Sequence, residues 1–224
     1  MNISVYTPVN KPVIVKRFLL IEDHELMRMG ILGHLRQSFT GCLVDQAWDE
    51  KSALLLLTEE PYDLIICDIH MPDSDIFRLM VEFKVRSPTS PVLVLSASAE
   101  NVYAKKLISV GARGFVSKNA GSEELAKAAS TIMEGRRYMS ATLIESISNE
   151  RNFGSGNPFL SLTEREFQVC TRLLAGISLT TISQLLQIST STVGTLKARI
   201  FEKTNTNSLL ELQDIARQYD IVLN

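Results

Sequence analysis

The sequence predicts two units: an α/β domain built as a doubly wound, five-stranded parallel sheet, and a smaller all-α domain that contains a helix-turn-helix. Three observations predict this. Short apolar runs alternate with helical stretches over residues 17–137, which is the pattern of βαβ units. The segment Asn152-Phe153-Gly154-Ser155-Gly156-Asn157-Pro158 then breaks the pattern with linker chemistry. Beyond it the chain reads only as short, capped helices. The expected division is a tail over 1–14, the α/β domain over 15–137, a linker over 138–157 and the helical domain over 158–224.

Composition narrows the classes. The chain has 224 residues, 45% of them hydrophobic, enough to bury a sizeable core. No apolar run approaches the roughly 20 residues of a membrane span, and the first residues lack a signal-peptide layout. A soluble, cytoplasmic protein with no membrane partner is expected. Cys42, Cys67 and Cys170 are odd in number and far apart, which suits reduced thiols. Net charge is −2. From Pro158 on, six acidic and six basic residues cancel, so any nucleic-acid contact must come from local clustering of charge.

The elements follow in order. Phe18-Leu19-Leu20-Ile21 is the first strand and ends in Glu22-Asp23. Helix 25–37 carries Leu26, Met29, Leu32 and Leu35 as its apolar stripe. Leu43-Val44 fits a short strand, and Asp49 N-caps a helix over 49–58. Leu64-Ile65-Ile66-Cys67 has no polar break and stops at Asp68, so it reads as a strand buried on both faces. Pro72 lies just beyond it, where a strand has ended. Helix 76–85 follows, then the strand Val92-Leu93-Val94-Leu95 ending in Ser96-Ala97. Helix 101–110, the strand Gly114-Phe115-Val116 ending in Ser117-Lys118, and helix 122–133 complete the count. Residues 140–147 suit a helical turn or more.

If these strands are parallel neighbours, Glu22, Asp23, Asp68, Ser96 and Lys118 meet at the carboxyl edge of the sheet, where ligands and chemistry collect in open α/β folds. Clustered carboxylates repel unless a cation joins them, and a small set of hard oxygens suits Mg²⁺. A carboxylate can attack phosphorus to give an acyl phosphate. The charge that spreads over the phosphoryl oxygens then calls for groups such as Lys118 and Ser96. The competing reading is that Glu22 and Asp23 cap a helix and Lys118 is a solvated surface residue.

The set Glu22-Asp23, Asp68-Ile69-His70-Met71-Pro72, Ser96-Ala97 and Gly111-Ala112-Arg113-Gly114-Phe115-Val116-Ser117-Lys118 resembles the receiver domain of two-component response regulators, a flavodoxin-like fold. The resemblance implies phosphorylation of Asp68 by a sensor histidine kinase or phosphotransfer protein. It implies Mg²⁺ held by Asp23, Asp68 and the His70 backbone carbonyl, with Glu22 acting largely through water. Ser96 and Lys118 would meet the phosphoryl group, and Phe115 would be the aromatic switch. Two positions depart from the family. Ile76 stands where Gly is usual, and Asn119 where Pro often follows the Lys.

In the second unit, Thr163-Glu164-Arg165-Glu166 spells a capping box. Gly176 suits a C′ residue, and Ser178 and Ser189 suit the caps of two further helices. Gln187-Ile188-Ser189 would be the turn of a helix-turn-helix. On the helix over 190–203, Val193, Leu196 and Ile200 face inward, and Ser191, Thr195, Ala198, Arg199 and Glu202 outward. A last helix spans 208–218. The segments Leu162-Thr163-Glu164-Arg165-Glu166, Leu174-Ala175-Gly176-Ile177-Ser178, Ile188-Ser189 and Thr192-Val193 resemble the LuxR/FixJ (NarL-type) regulators. Thr195-Leu196-Lys197-Ala198-Arg199 and the Leu-rich run at 209–212 look most like the BvgA/EvgA branch. Many members have Lys at the place of Gly194 and His at the place of Leu196.

The resemblance implies double-stranded DNA as a partner, with RNA polymerase a further candidate. Thr192, Thr195, Lys197, Arg199 and Lys203 are the expected DNA contacts. Leu209 and Leu212 are the candidate self-pairing face of a homodimer. Phosphorylation would raise DNA affinity by promoting the dimer or by freeing a hidden recognition helix. The function expected is a non-enzymatic, phosphorylation-controlled transcription regulator. The alternatives are an aspartyl-phosphate phosphatase of the haloacid-dehalogenase type and a scaffold that binds DNA without phosphorylation. A phosphatase of that type needs a second Asp two residues after the nucleophile, where this chain has His70.

Overall fold

The computed structural model describes residues 15–57, 60–71, 74–96, 100–141, 144, 157–219 and 221. The expected tail, most of the expected linker, Pro72 and Ala97 lie outside them. Five parallel strands form one sheet in the order β2-β1-β3-β4-β5. They are β1 (Arg17–Ile21), β2 (Leu43–Ala47), β3 (Leu64–Asp68), β4 (Val92–Ser96) and β5 (Gly114–Ser117). β2 is longer than Leu43-Val44 because Asp45, Gln46 and Ala47 continue the ladder opposite Leu19, Leu20 and Ile21. Their polarity disguises the strand. The Asp45 carboxylate faces sideways to Arg17 at 3.0 Å and accepts the Tyr62 hydroxyl at 2.9 Å.

Helices α1 (Glu25–Ser38), α2 (Glu50–Leu56), α3 (Ile76–Arg86), α4 (Glu100–Ser109) and α5 (Ser122–Met133) connect the strands. Alternation along β1 sends Phe18 and Leu20 into a core shared with Ile31, Leu35, Leu125 and Ile132. Leu19 and Ile21 point the other way, toward Ala53, Leu79, Phe83 and Leu107. Thus α1 and α5 cover one face, and α2, α3 and α4 the other. Asp49 caps α2 through a reciprocal pair with Ser52. Ile76 opens α3 from the Asp75 cap and is buried without a positive φ, so the turn accepts its Cβ.

The apolar stripe expected on α1 is corrected. Leu26 is 86% and Met29 60% exposed, whereas Ile31 and Leu35 are buried. Steps of three residues drift by about 60° each on a helix of 3.6 residues per turn, so a stripe at 26, 29, 32 and 35 winds off the buried face. Tyr138, at the start of the expected linker, instead bridges to Gly114, and its hydroxyl donates to Glu124 at 3.1 Å. Ile144 N donates to Ser140 O at 3.0 Å, which is one helical bond of the turn expected there.

A 3₁₀ turn (Pro158–Ser161) leads into α6 (Glu164–Leu174), α7 (Leu179–Leu185), α8 (Thr190–Thr204) and α9 (Leu209–Gln218). The Thr163–Glu166 capping box forms, and Ser178, Ser189 and Ser208 cap the next three helices. Gly176 closes α6 at φ 76°, a left-handed position that glycine takes without strain. Leu212 is fully buried in the domain core, so it does not lie on a self-pairing face; Leu209 is half-buried, and the exposed leucine of α9 is Leu210. Among the described residues no helix is long and apolar enough to cross a membrane.

Lys203 is also corrected. Its ammonium lies 2.6 Å from Glu166 Oε2 and donates to Ser161 O at 3.3 Å, tying α8 to the start of α6. Burial opposes ionisation of Glu166, but Lys203 and the Thr163 hydrogen bonds prevail and hold its pKa below the usual 4.5. A depressed carboxylate pKa stabilises the fold above the unfolded value and ceases to do so as pH falls through the folded value. The helical domain should therefore lose stability on acidification below pH 4.5. Lys203→Met should flatten that limb of a melting-temperature profile followed by circular dichroism. An unchanged acid limb would show that the pair contributes nothing.

Candidate functional site

Register brings the expected residues together. Ile21 pairs with Cys67, Asp68 with Leu95 and Ser96 with Ser117, so the carboxyl ends of four strands lie level. Glu22 follows β1, Asp68 ends β3, Ser96 ends β4 and Lys118 follows β5. Lys118 N donates to Ser96 O at 2.7 Å, which locks the last two strand ends to each other. Glu22, Asp68 and Ser96 are fully buried.

The Lys118 ammonium sits between two carboxylates, 2.7 Å from Glu22 Oε2 and 2.8 Å from Asp68 Oδ2. Its side chain is only 9% exposed, which excludes the reading of a solvated surface lysine. Burial disfavours its charge, yet the two carboxylates outweigh that and hold its pKa above the ordinary lysine value. Asp68 Oδ1 accepts the His70 N–H at 3.2 Å, and Glu22 Oε1 accepts the His24 N–H at 3.2 Å. Cys67, between the core and Asp68, is fully buried. Burial first, then the neighbouring carboxylates, push its thiol well above its normal pKa.

Ligand atoms of Glu22, Asp23, His24 and Asp68 all lie within 4.8 Å of one another. The site fits a hard divalent cation: three carboxylates converge, and among the described residues Lys118 is the one lysine or arginine paired with the two that are fully buried. His24 was not anticipated. Its Nδ1 lies 3.1 Å from Asp23 Oδ1, and its place directly after Glu22-Asp23 was the available signal. Phe115 is buried on β5, opposite Val94 and three residues before Lys118. The His70 ring makes an edge contact with Tyr103 at 5.6 Å between centroids, and its buried Nε2 has no hydrogen-bond partner among the described residues.

On the second unit, α8 buries Val193, Leu196 and Ile200 as expected. Thr192, Thr195 and Arg199 are exposed, so this face is not hidden beneath the α/β domain. Thr195 Oγ1 donates to Ser191 O at 3.1 Å, and Lys197 rests its ammonium 5.3 Å from the Phe201 ring. A Cβ at Gly194 would meet open space.

The two units share a seam that sequence reasoning missed. Phe167 of α6 contacts Tyr103 of α4 at 4.9 Å and Phe77 of α3 at 6.4 Å, both edge-on. Arg172 pairs with Asp75 at 2.8 Å, with both side chains nearly buried. Lys106 lies over the Phe167 ring at 5.1 Å and donates to Leu162 O.

Removing Lys118 would leave two buried carboxylates facing each other. Lys118→Met should cost about 3–5 kcal/mol in urea unfolding of the α/β domain, and Mg²⁺ should recover part of that loss. Unchanged stability would mean that the three charges are not coupled.

Comparison with known proteins agrees with this geometry. Residues 18–130 match the family model described as response regulator receiver domain, and residues 160–220 that of bacterial regulatory proteins of the luxR family. Fimbriae Z protein of Salmonella typhimurium is 31% identical over 91% of this chain and 97% of its own length. Response regulator GacA of Pseudomonas aeruginosa is 29% identical over 92% and 97%. A structure of RcsB from Salmonella enterica serovar Typhimurium, bound to promoter rprA with the phosphomimetic BeF3⁻, aligns at TM-score 0.76. It is 19% identical and covers 90% of this chain and 98% of that one, a likeness of fold.

Proposed function

The chain belongs to the response regulators that join a receiver domain to a luxR-family DNA-binding domain, and from that premise we propose that phosphorylation of Asp68 controls its binding to specific DNA sites. The observation that supports this most is the buried Asp68 carboxylate, paired with Lys118, in the same chain as a helix-turn-helix whose outer face is open to solvent.

A sensor histidine kinase or phosphotransfer protein supplies the phosphoryl group. One Asp68 oxygen forms the new P–O bond while the P–N bond of the donor phosphohistidine breaks and its electron pair returns to the imidazole. Lys118 meets the charge on the phosphoryl oxygens, and Ser96 at the neighbouring strand end supplies a hydroxyl. Glu22, Asp23 and Asp68, with the His70 carbonyl, are the groups that would hold Mg²⁺. When bound, the ion supplies the positive charge that a phosphoryl dianion beside these carboxylates requires. The chain accepts a phosphoryl group and is not a turnover catalyst. The phosphatase alternative would place its acid/base at His70, whose ring packs on Tyr103.

Thr192, Thr195 and Arg199 are the groups that enter the major groove, with Lys197 near the backbone. Lys203 is committed to Glu166. Because the recognition face is exposed, pairing of two copies on a two-fold site is favoured over unmasking as the route to higher affinity, with RNA polymerase a partner of the assembled complex. Two copies add their phosphate contacts. The Thr195–Arg199 segment supports kinship with the BvgA/EvgA branch, and the absence of an apolar span among the described helices accords with a cytoplasmic site of action.

Asp68→Asn should abolish labelling by acetyl phosphate in Mg²⁺, and label retained at the wild-type level would sink the assignment. Asp23→Asn should raise the Mg²⁺ concentration needed for half-maximal labelling. For the DNA face, Arg199→Ala should weaken binding by roughly 1–3 kcal/mol with labelling intact. Lys203→Ala should lower thermal stability more than DNA affinity. The reverse order in a gel-shift series would restore Lys203 as the DNA contact.

A further inference from the structure

We propose that the first turns of α8 read thymine by its 5-methyl group: Thr195 and Ala198, with Thr192 at their flank, present methyl groups and not hydrogen-bonding groups to the base edges of the major groove. The inference rests on the reading of α8 as a DNA recognition helix.

Every hydroxyl at the start of α8 is already engaged within the chain. Ser189 Oγ accepts the Thr192 N–H at 3.1 Å and lies 2.7 Å from both Ser191 Oγ and Thr192 Oγ1. Thr190 Oγ1 donates to Ser183 Oγ at 3.3 Å. One turn further on, Thr195 Oγ1 donates to the Ser191 carbonyl oxygen at 3.1 Å, a bond back along the helix. A threonine whose hydroxyl is turned onto its own backbone leaves its methyl as the outer group, and Ala198 carries nothing but a methyl. Thr192, Thr195 and Ala198 are all exposed.

The same stretch carries no charge. Residues 190–196 hold no acidic or basic side chain. The next residue, Lys197, rests its ammonium 5.3 Å from the Phe201 ring, and Arg199 is the first exposed cation of the helix. Thr192, Thr195 and Ala198 follow at steps of three residues, so they span about 9 Å of helix axis, or two to three base pairs at roughly 3.4 Å each. Side chains this short touch base edges only if the helix itself comes close. Gly194 permits that approach. A Cβ there would meet open space, so packing within the chain does not call for glycine, and glycine weakens a helix interior. Thymine alone among the four bases carries a methyl group in the major groove, so a methyl-lined stripe distinguishes T·A from A·T and from both G·C orientations. Hydrogen-bonded reading is left to Arg199, whose guanidinium suits guanine O6 and N7.

The experiment uses the full chain, phosphorylated with acetyl phosphate in Mg²⁺, and the DNA fragments it selects from a random pool. Thymines of a selected site are replaced singly by deoxyuridine, which lacks the 5-methyl group and keeps every hydrogen-bonding group. Replacement at two or three neighbouring positions of a half-site should lower affinity about fourfold each, the worth of one buried methyl group. Thr195→Ser, which removes the methyl and keeps the hydroxyl, should weaken binding by a similar factor and make one of those positions indifferent to deoxyuridine. Thr195→Val, which keeps the methyl and lacks the hydroxyl, should bind as the wild type does. A hydroxyl contact would give the opposite order, with Thr195→Val weak and Thr195→Ser normal. That order, or deoxyuridine without effect at every thymine of a site the wild type binds tightly, overturns the methyl reading and leaves DNA binding standing. A wild-type chain that selects no fragment at all overturns the recognition-helix reading, and this inference with it.

Discussion

Three charges buried at one sheet edge are the constraint on which the rest of the receiver depends. Glu22, Asp68 and Lys118 cannot be solvated where they stand. The two carboxylates are tolerable only because the Lys118 ammonium lies within 3 Å of both, and the ammonium only because both flank it. That arrangement requires β1, β3 and β5 to end level, which in turn requires the strict parallel register and apolar strands that carry no competing polar group. The same charges that make the site costly to build make it responsive. Adding a phosphoryl group upsets a balance that holds only when all three are present.

The second unit joins the receiver through a shared core. One core cluster runs from the α3–α4 side of the sheet through Phe167 into the helical domain. The two families of motif are separable in sequence, but in the structure they share buried aromatic surface and one nearly buried ion pair. Interfaces between domains of one chain are usually modest and polar. Here the contact joins Phe167 to Tyr103 and Phe77, and Arg172 to the Asp75 that caps α3.

Most of the sheet and its reactive edge were legible in the sequence because β1, β3, β4 and β5 each announce themselves twice, by an unbroken apolar run and by the group that ends it, whereas β2 turns polar after Val44. Asp68 and Lys118 could be placed this way. Caps made the helical domain legible for the same reason, since Thr163, Ser178 and Ser189 each signal a boundary. What failed were questions of facing. Leu26 and Met29 belong to a three-residue spacing that winds around α1. Leu212 and Lys203 lie on helices whose second neighbour is set by tertiary packing alone. The seam was invisible because Phe167 and Tyr103 read as ordinary core residues of their own domains, and nothing local says that each completes the core of the other.

Cys67 carries a consequence of its own. Its sulfur lies in the core beneath α2, α3 and α4, next to Asp68, and its surroundings keep it as the neutral thiol. A neutral, inaccessible thiol is a poor target for oxidants and electrophiles, so the chemistry of the acidic edge is insulated from the redox state of its surroundings. The same burial makes Cys67 a clock. Its sulfur becomes reactive only when the helices over that face lift from the sheet, so the rate at which a thiol reagent consumes it reads the frequency of that opening in the intact chain.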